Sequence, residues 1–141
     1  MPCDVLIVAA FDPELAWLRE VLRGSADRVG TATDVKVNVL TRAVGIGLPL
    51  AAAGAARTLA EIQPRAVVAL GTCGAYRGGA LTIGDVVVAT SVRLVDPSVI
   101  DGTSQFPGPM SLACDAEPSL AAAFQLAGAR AARVATTLSI T

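Results

Sequence analysis

The sequence predicts an α/β fold, a largely parallel sheet with helices on both faces. Three observations predict it. Short apolar runs of strand length recur at residues 5–10, at 66–70 and after Asp85. Between them lie segments whose apolar residues repeat at helical spacing. The order strand, helix, strand, helix, strand is the one that builds parallel βαβ units.

Each element has its own local cause. Residues 5–10 (VLIVAA) form a run too short for a helix and typical of a buried strand. Asp12-Pro13 then supplies a helix cap followed by proline at the first helical position. Leu15, Leu18 and Leu22 follow at helical spacing, and Gly24 is expected to stop the helix. A polar stretch around residues 30–34 leads into a strand within residues 35–44. Gly45-Ile46-Gly47 is a turn. The helix after Pro49 is expected to bury Leu48, Ala52, Ala55, Leu59 and Ile62, with its alanines and Gly54 allowing close packing on a sheet. Pro64 ends it, residues 66–70 make the next strand, and residues 85–91 another. Residues 96–109 are rich in Pro, Gly, Ser and Asp and read as one long loop. Residues 117–128 read as a helix with Pro118 near its start, and residues 133–140 as a last strand.

Composition narrows the chemistry. The chain has 141 residues, 53% apolar and 16% charged, with a formal net charge of −1. That is a globular composition, rich enough in apolar residues to suggest a surface that meets a partner. No basic run supports nucleic acid binding. Histidine is absent, which excludes Ser-His-Asp and Cys-His catalysis and any histidine-containing zinc site within the chain. The three cysteines, Cys3, Cys73 and Cys114, form no CxxC pair, so neither a metal site nor a disulfide framework is expected. There is no basic leader, and no stretch reaches the roughly 18 apolar residues of a membrane span. A cytoplasmic protein with reduced thiols and no cofactor is the expectation.

In parallel sheets, ligands bind beyond the carboxyl ends of the strands. Three loops fall there: residues 10–14, 45–47 and 71–74. Gly45-Ile46-Gly47 is either part of a dinucleotide fingerprint or a tight turn, and the position of the third fingerprint glycine is Leu50. Cys73, on the turn Gly71-Thr72-Cys73-Gly74, is either a nucleophile without a base or a small packing residue. Glu14 is either an acid favoured by the helix dipole or a carboxylate at the strand tips, able to take a proton from water or hold a ribose hydroxyl. Asp85, after Gly84, reads as a turn residue.

These residues resemble a known family. GTCGA (residues 71–75), followed by GDVVV (residues 84–88), resembles the nucleoside phosphorylase and nucleosidase superfamily. The order AAFDPE, GIG, GTCGA, GDVVV fits it as well. The resemblance implies a three-layer α/β/α sandwich with a mostly parallel or mixed central sheet, a purine nucleoside as substrate and a homodimer. It also separates two reactions. The phosphorylase pattern places arginines for phosphate, one in the first loop and one before the glycine-rich turn. Here Glu14 and Ala69 stand in those places. A carboxylate beside phosphate is repelled by about 4 kcal/mol per charge pair at 4 Å and an effective dielectric of 20. The nucleosidases, of the methylthioadenosine/S-adenosylhomocysteine or futalosine type, carry a glutamate in that loop which acts on the attacking water. By this resemblance Glu14 is the catalytic base. Ala10 and Phe11 line the sugar, Ile46 the water site or the 5′ substituent, and Thr72, Cys73 and Gly74 the base and ribose.

The family's leaving-group aspartate and its ribose-binding Met-Glu stretch lie in the second half of its domain. Neither has a counterpart in the 141 residues. The chain is therefore expected to correspond to the first part of one family domain, weakly active alone, with uncovered apolar surface and a tendency to self-associate.

Overall fold

The computed structural model describes residues 3–25 and 37–137. The polar stretch at 30–34, the start of the second expected strand and residues 138–140 of the last one lie outside these. The elements alternate as an α/β fold requires, and the strands form two three-stranded sheets. The chain divides into two compact units, Met1–Gly74 and Ala75–Thr141.

The first unit is a parallel sheet of β1 (Val5–Ala9), β2 (Val39–Ala43) and β3 (Ala66–Ala69), in the order β2-β1-β3. Register runs from Val5 opposite Val39 to Ala9 opposite Ala43, and from Val5 opposite Ala66 to Val8 opposite Ala69. Placing β1 in the centre explains its apolar run, since it is paired on both edges. Leu6 is fully buried and Ala9 nearly so. β3 is paired on β1 alone within this sheet, and it alternates half-buried Ala66 and Val68 with exposed Val67 and Ala69.

Two helices connect these strands. α1 (Pro13–Ser25) starts at Pro13 as expected and buries Leu15 completely. It runs through Gly24 to Ser25, one residue past the expected stop. α2 (Leu48–Ile62) is entered through Gly47 at φ 83° and left through Gln63 in the left-handed region, just before Pro64. Its buried stripe differs from the expected one. Thr58 is buried and Ala51, Gly54, Ala55 and Ile62 are half-buried, whereas Leu48, Ala52 and Leu59 are exposed. The cause is Gly54. A Cβ there would lie 1.9 Å from the Val44 carbonyl oxygen, so the helix approaches the end of β2 through its smallest residue.

The second unit is a mixed sheet in the order β5-β4-β6, with β4 (Val87–Val95) antiparallel to β5 (Ala113–Asp115) and parallel to β6 (Arg130–Thr137). β4 begins two residues later than the sequence suggests and continues past Ser91 to Val95. The expected loop at 96–109 contains a short helix, α3 (Pro97–Ile100), capped by Asp96 through the Ser98 amide at 2.9 Å. α4 (Pro118–Leu126) is capped by Glu117, whose carboxylate accepts from the Leu120 amide at 2.8 Å. β6 starts at Arg130, three residues before the expected strand.

Asp85 belongs to the turn before β4 rather than to the strand. Its carboxylate accepts from the Thr82 amide and from Arg130 Nη1, both at 2.8 Å. Arg130 Nη1 also donates to the Ala80 carbonyl at 2.8 Å, which pins the turn to the start of β6. The Thr82 bond first, then the Arg130 charge, hold the Asp85 carboxyl below the usual carboxylate range. A carboxylate with a lower pKa folded than unfolded stabilises the fold above its unfolded value. That contribution is lost as pH falls through the lowered folded value. Asp85→Asn is therefore expected to melt below the parent near neutral pH. Thermal melts carried down through the acid range should show the gap closing; a gap that widens in acid would contradict the assignment.

Candidate active site

All three strands of the first sheet are parallel, so their carboxyl ends lie on one edge. The backbone knits that edge together. Val44 N–H donates to the Ala9 carbonyl at 2.9 Å and Gly45 N–H to the Ala10 carbonyl at 3.0 Å, which extends the β1–β2 ladder into the Gly45-Ile46-Gly47 turn. Leu70 N–H donates to the Val8 carbonyl at 2.8 Å on the other side. Gly45 and Gly47 have φ of 118° and 83°, conformations that L side chains rarely adopt. That backbone requirement accounts for both glycines as turn residues. Between them Ile46 stands 66% exposed.

Glu14 sits over the same edge. It occupies the first turn of α1, and its Oε2 accepts a hydrogen bond from the Ala10 N–H at 3.1 Å. Its Oε1 would be 3.6 Å from a Cβ built on Gly71, the second residue after β3. The carboxylate thus lies between the tips of β1 and β3. It has no ion-pair partner among the described residues, and no protein donor to Oε1 is found among them. Ala10 is the junction: its carbonyl holds the glycine turn and its amide holds Glu14.

The other residues singled out in the sequence fall on this unit's loops. Phe11 is exposed at the start of the β1–α1 corner, and Thr72, Cys73 and Gly74 are exposed after β3. The Cys73 thiol is free. Direct contacts join Glu14, Ala10 and the Gly45 turn. Thr72, Cys73 and Gly74 share only the strand-end position with them.

Two residues beyond the expected site set belong here. Gly71 lies beside the free side of Glu14, and its signal is the glycine that opens the GTCGA turn after the strand. Arg19 binds Asp12 and Thr41, at the corner where α1 leaves β1. Its signal is a basic residue seven positions after the acid, two helical turns along.

A parallel sheet with a carboxylate, a glycine turn and small residues at its carboxyl tips is an α/β arrangement, and the carboxyl ends are where open α/β sheets generally take their ligands. The family described as the Phosphorylase superfamily matches residues 4–141, and the chain belongs to this superfamily of nucleoside phosphorylases and nucleosidases. No curated protein and no solved structure gave a significant match. Nucleoside processing is the class of function the family defines. No helix among the described residues is long and apolar enough to cross a membrane.

Proposed function

We propose that the protein hydrolyses the N-glycosidic bond of a purine nucleoside, with Glu14 as the base that orients and deprotonates water. The observation that carries this reading is the Glu14 carboxylate at the strand tips, anchored by the Ala10 amide on one oxygen and lacking a cation partner among the described residues. In the reaction, the water oxygen bonds to C1′ while the bond from C1′ to the purine nitrogen breaks. The water proton passes to Glu14, and the departing purine takes up a proton from a separate acid. An oxocarbenium-like sugar forms on the way, as in glycoside hydrolysis generally. Glu14 would face developing positive charge, which a carboxylate stabilises. The exposed Phe11 and Ile46 supply apolar surface for the sugar side and the 5′ substituent. Thr72, Cys73 and Gly74 supply a thin wall for the flat base.

Exposed Trp17 on α1 and Leu50 on α2 support self-association as a homodimer. The three free thiols support a reducing, cytoplasmic setting.

Phosphorolysis is the alternative reading, and the second unit by itself holds arginines of the kind an anion needs. In the second unit a cleft of about 350 Å³ on the sheet is lined by Ser91, Arg93 and Arg133, together with Asp115. Arg93 and Arg133 have no carboxylate partner among the described residues, and guanidinium groups suit phosphate. Release of free purine from a nucleoside, measured with and without inorganic phosphate, decides between the two. The expected rate is independent of phosphate and the sugar product is free ribose. A rate that rises with phosphate, giving a sugar 1-phosphate, would replace hydrolysis with phosphorolysis.

A further inference from the structure

We propose that Arg19 is a positioning residue: by clamping Asp12 to β2 it fixes the corner that aims the Glu14 carboxylate at the strand tips. The catalytic part of this inference rests on the hydrolytic reading above; the structural part does not.

The clamp has three bonds. Arg19 Nη1 and Nη2 donate to the two oxygens of Asp12 at 2.8 and 2.9 Å, a bidentate fork. Arg19 Nε donates to the hydroxyl of Thr41 at 2.9 Å, and Thr41 is the middle residue of β2. The guanidinium therefore joins the β1–α1 corner to the neighbouring strand. The corner itself turns through local bonds, from Glu14 N–H to the Phe11 carbonyl at 3.2 Å and from Leu15 N–H to the Asp12 carbonyl at 3.0 Å. Upstream, Ala10 is fixed by the Gly45 amide. Glu14 follows directly on a corner held at Ala10 and again at Asp12, and Leu15, buried just beyond, holds it from the other side.

The Asp12 carboxylate is two-thirds exposed, so the pair itself adds little to global stability. Geometry is where it acts. A planar fork with a third donor on another strand fixes direction as well as distance, which a lysine ammonium cannot do. The clamp also directs Arg19 to Asp12 and Thr41. Glu14 is left without a cation partner among the described residues.

The test is amide exchange by NMR on the chain, comparing the parent with Arg19→Gln, Arg19→Lys and Asp12→Asn. The Ala10 amide reports whether Glu14 still holds it; Val44 and Leu70 report the β1–β2 and β1–β3 ladders. In Arg19→Gln and Asp12→Asn, Ala10 protection is expected to fall at least about tenfold while Val44 and Leu70 change less than about twofold. Arg19→Lys should lie between Arg19→Gln and the parent. Unchanged Ala10 protection, or a fall shared equally by all three amides, would overturn the clamp. A second arm measures purine release in a chain completed with the family's leaving-group acid. Arg19→Gln should lower kcat at least about tenfold with KM changed less than about threefold. A loss confined to KM would overturn the positioning role in catalysis. Glu14→Gln, run alongside, separates the two failures. If it turns over like the parent, the hydrolytic reading falls, while the exchange data still decide whether Arg19 fixes the corner.

Discussion

In a chain completed with the family's leaving-group acid, Glu14→Gln is expected to lower purine release by about 10²–10⁴-fold, the usual contribution of a positioned general base. Nucleoside-induced thermal stabilisation should remain close to that of the parent. Glutamine matches glutamate in size and can still accept the Ala10 N–H through its carbonyl oxygen, so the corner keeps its anchor. What it loses is the ability to take a proton and the negative charge that faces the developing oxocarbenium ion. Both act in the transition state, so the loss should fall on kcat, with KM changing little. The comparison therefore reads chemistry apart from binding. Turnover equal to the parent's would remove Glu14 from the mechanism. Loss of nucleoside-induced stabilisation together with turnover would make Glu14 a binding residue instead.

Much of the first unit is legible from local signals. Asp12-Pro13 marks the start of α1 and Pro64 follows the end of α2, because proline's fixed φ and missing N–H act whatever the tertiary context. The runs at β1 and β3 are readable because four or five consecutive apolar residues are too few for a helix and suit a strand of a parallel sheet. The candidate site is legible in part. Glu14, Ala10 and the glycine turn are neighbours because topology brings the tips of a parallel sheet together. The contacts of Gly71 with Glu14 and of Arg19 with Thr41 join residues distant in sequence, and no local pattern announces those pairings.

The second unit carries fewer local signals. β5 has three residues, too few for any period to register. β4 runs on through half-buried Ser91 and exposed Arg93, whose polarity looks like the end of a buried run although both pair within the sheet, opposite Asp115 and Ala113. β6 opens on Arg130 because that residue bonds the Asp85 turn, a demand invisible within the last strand itself. On α2 the apolar stripe points to Leu48, Ala52 and Leu59, because helical spacing of apolar residues does not say how near Gly54 lets the backbone come. Distance of approach, set by Gly54 against Val44, chose the face instead.

That close approach makes Gly54→Ala the most damaging small substitution expected in the first unit. In an exposed helix the change would stabilise by roughly 1 kcal/mol, since alanine is the better helix former. Here the new methyl would meet backbone: the Val44 carbonyl oxygen at 1.9 Å, its carbon at 2.7 Å and Val44 Cα at 3.0 Å. A rotamer change cannot relieve such a contact. Either α2 moves off the sheet or the end of β2 moves away from it, and overpacking of this kind costs typically about 1–3 kcal/mol, occasionally more. Denaturant unfolding should therefore show net destabilisation of about 2 kcal/mol despite the helix-propensity gain. The site should suffer too. Val44 precedes the Gly45-Ile46-Gly47 turn and its amide closes the β1–β2 ladder on Ala9, so a shift at Val44 carries the turn with it. Loss of stability at Gly54→Ala together with weakened nucleoside binding would tie the helix contact to the shape of the strand-end site. A variant as stable as the parent would mean that α2 has room to withdraw, and that Gly54 does not set its position.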